Sequence, residues 1–236
     1  MNRTLTAVLL IAAAVLTNAA FTVLGTVFNY PDVLKEPAVE ILASFRESQT
    51  AVSVWFAVMA LSAALFAPIA IGVGRLSDHR AMRLAVPVGI AAAVVQVIGL
   101  ARWPVLVPGY AVDATSADPA VANAAVDAFV TAHRILGNLI GETFGYLLTA
   151  AWTLLVLRAL AGVLAGRWFT ILGAVSAVLI LAGVLSPLDL PLIDTANFAG
   201  YVLWSLWLLA FAVLLLIRRG RSGDAGHPAP ARAASR

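Results

Sequence analysis

Cysteine is absent from the 236 residues, which excludes disulfides and thiolate metal sites. Charge is nearly as scarce. Asp, Glu, Lys and Arg make up 11% of the chain, against roughly 25% in soluble domains. Lysine occurs once, at Lys35. The sequence holds no Gly-rich phosphate loop, no serine-nucleophile motif, no paired catalytic carboxylates and no His-x-x-Glu-His arrangement, so neither a metal nor a cofactor is expected. The formal charge of +3 comes from Arg residues scattered at the ends of apolar runs. Without a basic patch interleaved with aromatics, nucleic acid is rejected as a partner.

Apolar sequence fills the space that charge leaves. Hydrophobic residues make up 62% of the chain and its mean hydropathy is +0.96, the signature of a polytopic membrane protein. A spanning helix needs about 20 mostly apolar residues, and six segments qualify: 5–28, 50–73, 84–100, 129–157, 168–185 and 198–217. The apolar run of the first outlasts the ~7–15-residue core of a signal peptide, so it is read as a retained span. The expected fold is all-α, a six-helix transmembrane bundle over residues 1–219. A basic tail of Gly, Pro, Ala, Ser and Arg at 220–236 reads as disordered.

Charge asymmetry orients the bundle. With both termini inside, eleven of the fifteen basic residues are cytoplasmic, among them Arg75, Arg80, Arg83, Arg158, Arg218 and Arg219. Lys35, Arg46, Arg102 and Arg134 are outside, where Asp32, Glu36, Glu40, Glu47, Asp113, Asp118, Asp127, Asp189 and Asp194 also collect. Positive charge accumulates on cytoplasmic loops, so the expected location is a bacterial cytoplasmic membrane, multi-pass, with both ends inside. Three outer segments connect the spans. From Pro37, the residues Val39, Ile41, Leu42 and Phe45 trace one side of a short amphipathic helix on the outer surface. Residues 107–123 read as a polar connection that breaks at Pro104 and Pro108, with Asp118-Pro119 capping the long fourth helix. Residues 186–197 are a short Pro/Asp link. Pro68 is expected to kink the second span.

The fourth span carries the one carboxylate inside an apolar run. His133, Gly137, Gly141, Gly145 and Thr149 recur every fourth residue, and Arg134, Asn138, Glu142 and Tyr146 recur beside them. On an α-helix this makes a small-residue strip next to a polar strip. An acid in hydrocarbon costs about 2.5–3.5 kcal/mol on insertion scales and faces a protein interior or cavity. At ~1.5 Å of rise per residue, Glu142 stands roughly 24 Å above the inner end, Asn18 roughly 22 Å and Gln96 roughly 20 Å. Arg102, His133 and Arg134 lie higher, and Asn197 and Tyr201 open the sixth span. The expected site is therefore an outward polar pocket of Glu142, Arg102, Asn138, His133, Arg134, Tyr146, Asn18 and Gln96, with Arg102 pairing with Glu142. The glycines are read as packing positions, and the tryptophans as belt or packing residues.

The order Phe28-Asn29-Tyr30-Pro31, Glu40 with Arg46, Arg102-Trp103 with Val107-Pro108, and His133…Gly137…Gly141-Glu142…Gly145-Tyr146 with Thr149 and Trp152 resembles a bacterial integral-membrane family catalogued as a domain of unknown function (number 4386). Asn29 stands where an acidic residue is expected before Tyr-Pro. The resemblance implies a multi-helix membrane protein and brings no activity with it.

The leading functional expectation is a non-enzymatic membrane protein that binds a small molecule or lipid in this pocket. The expected partners are thus the bilayer and that ligand, and oligomeric state is left open. One alternative is a transporter or proton-coupled carrier using Glu142, which needs a polar path through the apolar inner half. Another is a lipid-modifying enzyme using His133 and Glu142, which stand about 13.5 Å apart along a straight helix.

Overall fold

The computed structural model describes residues 2–224 apart from 161, 163, 165 and 189, and side chains as far as Ile217. Among the described residues the chain is helical with no strand, and six helices are long and apolar enough to cross a membrane. The fold is thus an all-α six-helix bundle. Helix α1 (Arg3–Phe28) is followed by a 3-10 turn (Asp32–Lys35), α2 (Ala38–Glu47), α3 (Gln49–Gly74) and α4 (Arg80–Val105). Next come α5 (Val107–Asp113), α6 (Pro119–Ala132), a π-helix (His133–Phe144) and α7 (Gly145–Leu160). Helix α8 (Arg167–Ala182), a 3-10 turn (Gly183–Leu188) and α9 (Ile193–Asp224) complete the order. The remainder of the tail read as disordered, 225–236, lies outside the described residues, as does Asp189.

Local chemistry sets the ends. Asn2 Oδ1 accepts from the Leu5 amide at 2.8 Å, and His79 Nδ1 accepts from the Ala81 amide at 3.1 Å to start α4. Asp118 Oδ1 accepts from the Ala120 amide at 2.9 Å, with Pro119 in the first turn of α6, the cap that the Asp-Pro pair announces. Asn29 ends α1 in the left-handed region at φ 51°, which Asn tolerates better than most residues.

The outer segments are more ordered than the sequence implies. Helix α4 passes Pro104 and ends at Val105, and α5 begins with Pro108 in its first turn, so the connection before α6 shrinks to 114–118. Helix α2 does form, but it buries Ile41, Leu42 and Phe45 against Phe28, Phe56 and Trp103 instead of lying free on the surface, and Val39 points outward. Trp103 is fully buried and stacks on Phe56 at 4.8 Å and 9°, so it is core and not belt. A second core cluster holds the aromatics Phe66, Trp152, Trp207, Phe169 and Phe211.

The contact that sets the site is the crossing of α4 with the π-helix. A Cβ on Gly99 would stand 2.6 Å from Gly141 Cα, and one on Gly141 would stand 2.9 Å from Gly99 Cα. The two backbones touch, the arrangement that small residues permit between membrane helices. Gly99→Val is expected to lower unfolding free energy by about 3 kcal/mol or more, because neither backbone can give way. Gly109 has nothing within 4 Å of an added Cβ, and Gly109→Ala is expected to be neutral or to stabilise by up to about 1 kcal/mol through helix propensity. Thermal melts of the purified protein in detergent compare the two.

Candidate functional site around Glu142

The glycine strip seats α4 residue by residue. A Cβ on Gly137 would stand 2.7 Å from Arg102 Nη2, and one on Gly145 would stand 3.1 Å from Gln96 Cγ. Gln96, Gly99 and Arg102, three apart on α4, thus face Gly145, Gly141 and Gly137, four apart on the opposing chain. The strip is a packing face, as its spacing implies.

Its local conformation is not α. The 12 residues from His133 to Phe144 form a π-helix, with i→i+5 bonding. Thr143 Oγ1 donates to the Asn138 carbonyl, five residues back, at 2.9 Å. Such segments are rare, usually one turn long, and frequent at functional sites. Of the residues between Glu142 and Arg158, only the first three belong to it, so the depth count for Glu142 from the inner end is nearly unaffected.

Arg102 is buried, and it does not pair with Glu142 as expected. Among the described residues the ion pairs within 4.0 Å are Lys35–Asp32 at 3.3 Å and Lys35–Asp194 at 3.5 Å. Arg102 Nη1 donates to the Gly99 carbonyl and Nη2 to His133 Nδ1 at 3.4 Å, while Nε is buried without a partner. The Arg102 side chain folds back along its own helix because the gap at Gly137 receives the guanidinium there. His133, the other partner, stacks on Phe129 at 5.8 Å.

Glu142 is half-buried and accepts no hydrogen bond from the described residues, and its oxygens are not sealed from the surface. The groups that feel its charge are Arg102, Tyr30, Tyr146, Tyr201 and Asp194. Of the four tyrosines of the chain, three are among these groups, from three elements: Tyr30 after α1, Tyr146 on α7 and Tyr201 on α9. The Tyr146 and Tyr201 rings are 5.9 Å apart at 60°. Tyr30 is held edge-on to Phe21 at 5.4 Å and to Phe56 at 5.2 Å. Tyr146 packs where Gly183 has no Cβ, which would stand 2.7 Å from its ring.

The other expected site residues divide. Gln96 Nε2 donates to the Ala92 carbonyl at 3.1 Å and to Thr149 Oγ1 at 3.2 Å, and Thr149 in turn meets the Tyr201 hydroxyl. Gln96 therefore braces the floor of the nest. Asn138 is half-buried, whereas Arg134 is exposed. Asn18 does not join them. It is exposed between α1 and α9, where Nδ2 donates to the Ala14 carbonyl at 2.7 Å and to Ser205 Oγ at 2.9 Å. There it lines a separate groove of about 210 Å³ with Val202, Leu206 and Leu209. Tyr30, Tyr201 and Asp194 were not in the expected set. Tyr201 carried a signal, since the depth count places it level with Glu142. Tyr30 lies in the turn after α1 and Asp194 in the first turn of α9, where a depth count says nothing about which way they face.

Six helices long and apolar enough to cross a membrane define a multi-pass integral membrane protein. The family described as Domain of unknown function (DUF4386) matches residues 5–212. The chain belongs to that family. No curated protein and no solved structure matches it.

Tyr30 offers a pH test outside the spans. Burial first, and the Glu142 charge second, raise its phenol above the ordinary pKa of 10.0. The folded state holds the proton after the unfolded chain has released it, so the stability from Tyr30 is complete below about pH 10 and drains away as pH rises beyond it. Melting temperature is expected to fall above that pH in the wild type, and to fall less steeply in Tyr30→Phe.

Proposed function

We propose that this chain is a binding protein of a bacterial cytoplasmic membrane, both termini inside, whose outward-facing nest around Glu142 takes a small molecule or a lipid headgroup. The observation that carries this reading is a carboxylate without a hydrogen-bond partner, set among three tyrosines at the outer ends of the helices. An intramembrane acid is costly, and a merely structural one is expected to be paired. Glu142 is unpaired although a guanidinium is near, which fits a group held ready for something else. The excess of Arg on the loops of one side supports the orientation.

Two observations weigh against the alternatives. A carrier needs a polar path to the inner face, but Phe66, Trp152, Trp207 and Phe211 pack the interior below the nest. An enzyme pairing His133 with Glu142 needs the two side chains together, but His133 is engaged by Arg102 and Phe129.

The test is a thermal-shift panel of lipids and small polar molecules on purified wild type and Glu142→Gln. A ligand that binds the folded state raises its melting point by mass action, about 2.7 kcal/mol at a hundredfold excess over Kd. At least one ligand is expected to shift the wild type and not the variant. If none shifts the wild type while Glu142→Gln melts higher, the acid is only a structural burden and the proposal fails.

A further inference from the structure

We infer that the groove between α1 and α9 is where a second copy of this chain docks within the membrane. This stands apart from the Glu142 reading. Asn18 lies roughly 22 Å up α1, inside a hydrocarbon core of about 30 Å, and it is exposed on the outside of the bundle. Lipid offers a polar group no partner, and membrane helices satisfy such groups across helix–helix contacts. The chain's own helices satisfy Asn18 only in part. Both hydrogens of Nδ2 are used, on the Ala14 carbonyl at 2.7 Å and on Ser205 Oγ at 2.9 Å. Among the described residues Oδ1 has no donor, and the Ser205 hydroxyl, which accepts from Nδ2, has no acceptor for its own hydrogen.

The shape beside Asn18 is that of a helix seat. Another side of α1 is taken by α3, where Thr17 Oγ1 and Ser62 Oγ are 2.6 Å apart. The outward strip of α1 is Val8, Ile11, Val15, Asn18, Thr22 and Gly25, spaced alternately by three and four, the seam spacing of a left-handed helix pair. Any lipid-facing side shows that spacing, but one that meets only lipid stays apolar. This strip turns polar and small from Asn18 on. Beside it lies a hollow of about 210 Å³, lined by the buried Ala14 and Ser205 and by the exposed Val15, Val202 and Leu206. Two copies share one orientation in the bilayer, so a two-fold axis along its normal brings residues of equal depth together. Asn18 Oδ1 of each copy can then accept from the partner's Ser205 hydroxyl. Each open acceptor gains an open donor. An acyl chain fills the hollow but brings no donor. A single Asn in an apolar seam also fixes the register of a helix pair.

The chain carries no cysteine, so Val15→Cys and, at an exposed position on α4, Val94→Cys each supply a single thiol. Each full-length variant is placed in phosphatidylglycerol vesicles and oxidised. Val15→Cys is expected to give a disulfide-linked dimer and Val94→Cys none. In parallel, the chain is labelled with donor or acceptor dye through Ser235→Cys, and energy transfer is followed as added lipid dilutes the protein. Asn18→Leu is expected to weaken association about tenfold or more. Leu206→Trp fills the hollow and leaves the Asn18–Ser205 bond in place. It is expected to abolish transfer while the melting temperature stays near that of the parent chain. A parent chain that is monomeric at every dilution would overturn the proposal. So would equal cross-linking at positions 15 and 94, or association unchanged in Asn18→Leu or in Leu206→Trp. A monomer that retains a phospholipid in native mass spectrometry, lost in Leu206→Trp, would assign the groove to lipid and overturn the second copy.

Discussion

At Gly99 and Gly141 two helix backbones touch, and the part of the protein around Glu142 is arranged by that contact. Membrane helices gain little from burying apolar side chains against one another, since lipid is as apolar as leucine, so close packing must supply the attraction. The crossing does this, and it also sets the register. Arg102 falls on Gly137 and Gln96 on Gly145. A guanidinium is thereby lodged inside a membrane bundle against its own helix carbonyl, and an amide is turned onto Thr149. Glu142, next to the crossing glycine, is left among tyrosines with no donor of its own.

The spans were legible because hydropathy over about 20 residues is a strong signal in a chain with so little charge. The cap at Asp118-Pro119 and the packing use of the glycine strip were legible for equally local reasons. The outer helices were less so. Residues 107–113 are short and carry a proline in the first turn, and α5 is held by tertiary contacts: Val107 and Ala111 are buried in the aromatic core around Trp103, and Arg46 Nη1 donates to the Ala111 carbonyl at 3.1 Å. Residues His133 to Phe144 satisfy an i,i+4 pattern on paper and adopt i→i+5 bonding in the fold. Nothing in residue type separates the two.

The candidate site was half legible. The depth count puts Glu142 and Gln96 level, because rise along a helix is fixed, and the polar strip of the fourth span adds Tyr146. Direction was not found, and direction is where the reading of Asn18 went astray: the right height, but on a face turned to the groove with Ser205. Arg102 was placed correctly and paired wrongly, because charge attraction between two residues says nothing about a closer carbonyl and a glycine-sized gap. Tyr30 was missed because it belongs to a turn, and only the folded chain brings that turn over the end of the fourth span.

The account turns on Glu142 facing water from the outer side. Because the chain has no cysteine, a thiol placed at 142 is the only one present, and its labelling can be read without background. In sealed vesicles of known orientation, Glu142→Cys should react with a membrane-impermeant thiol reagent added to the outer side, as should a control Ala117→Cys in the exposed outer turn. Labelling only from the inner side, or only by a reagent that crosses the bilayer while the control reacts normally, would contradict it.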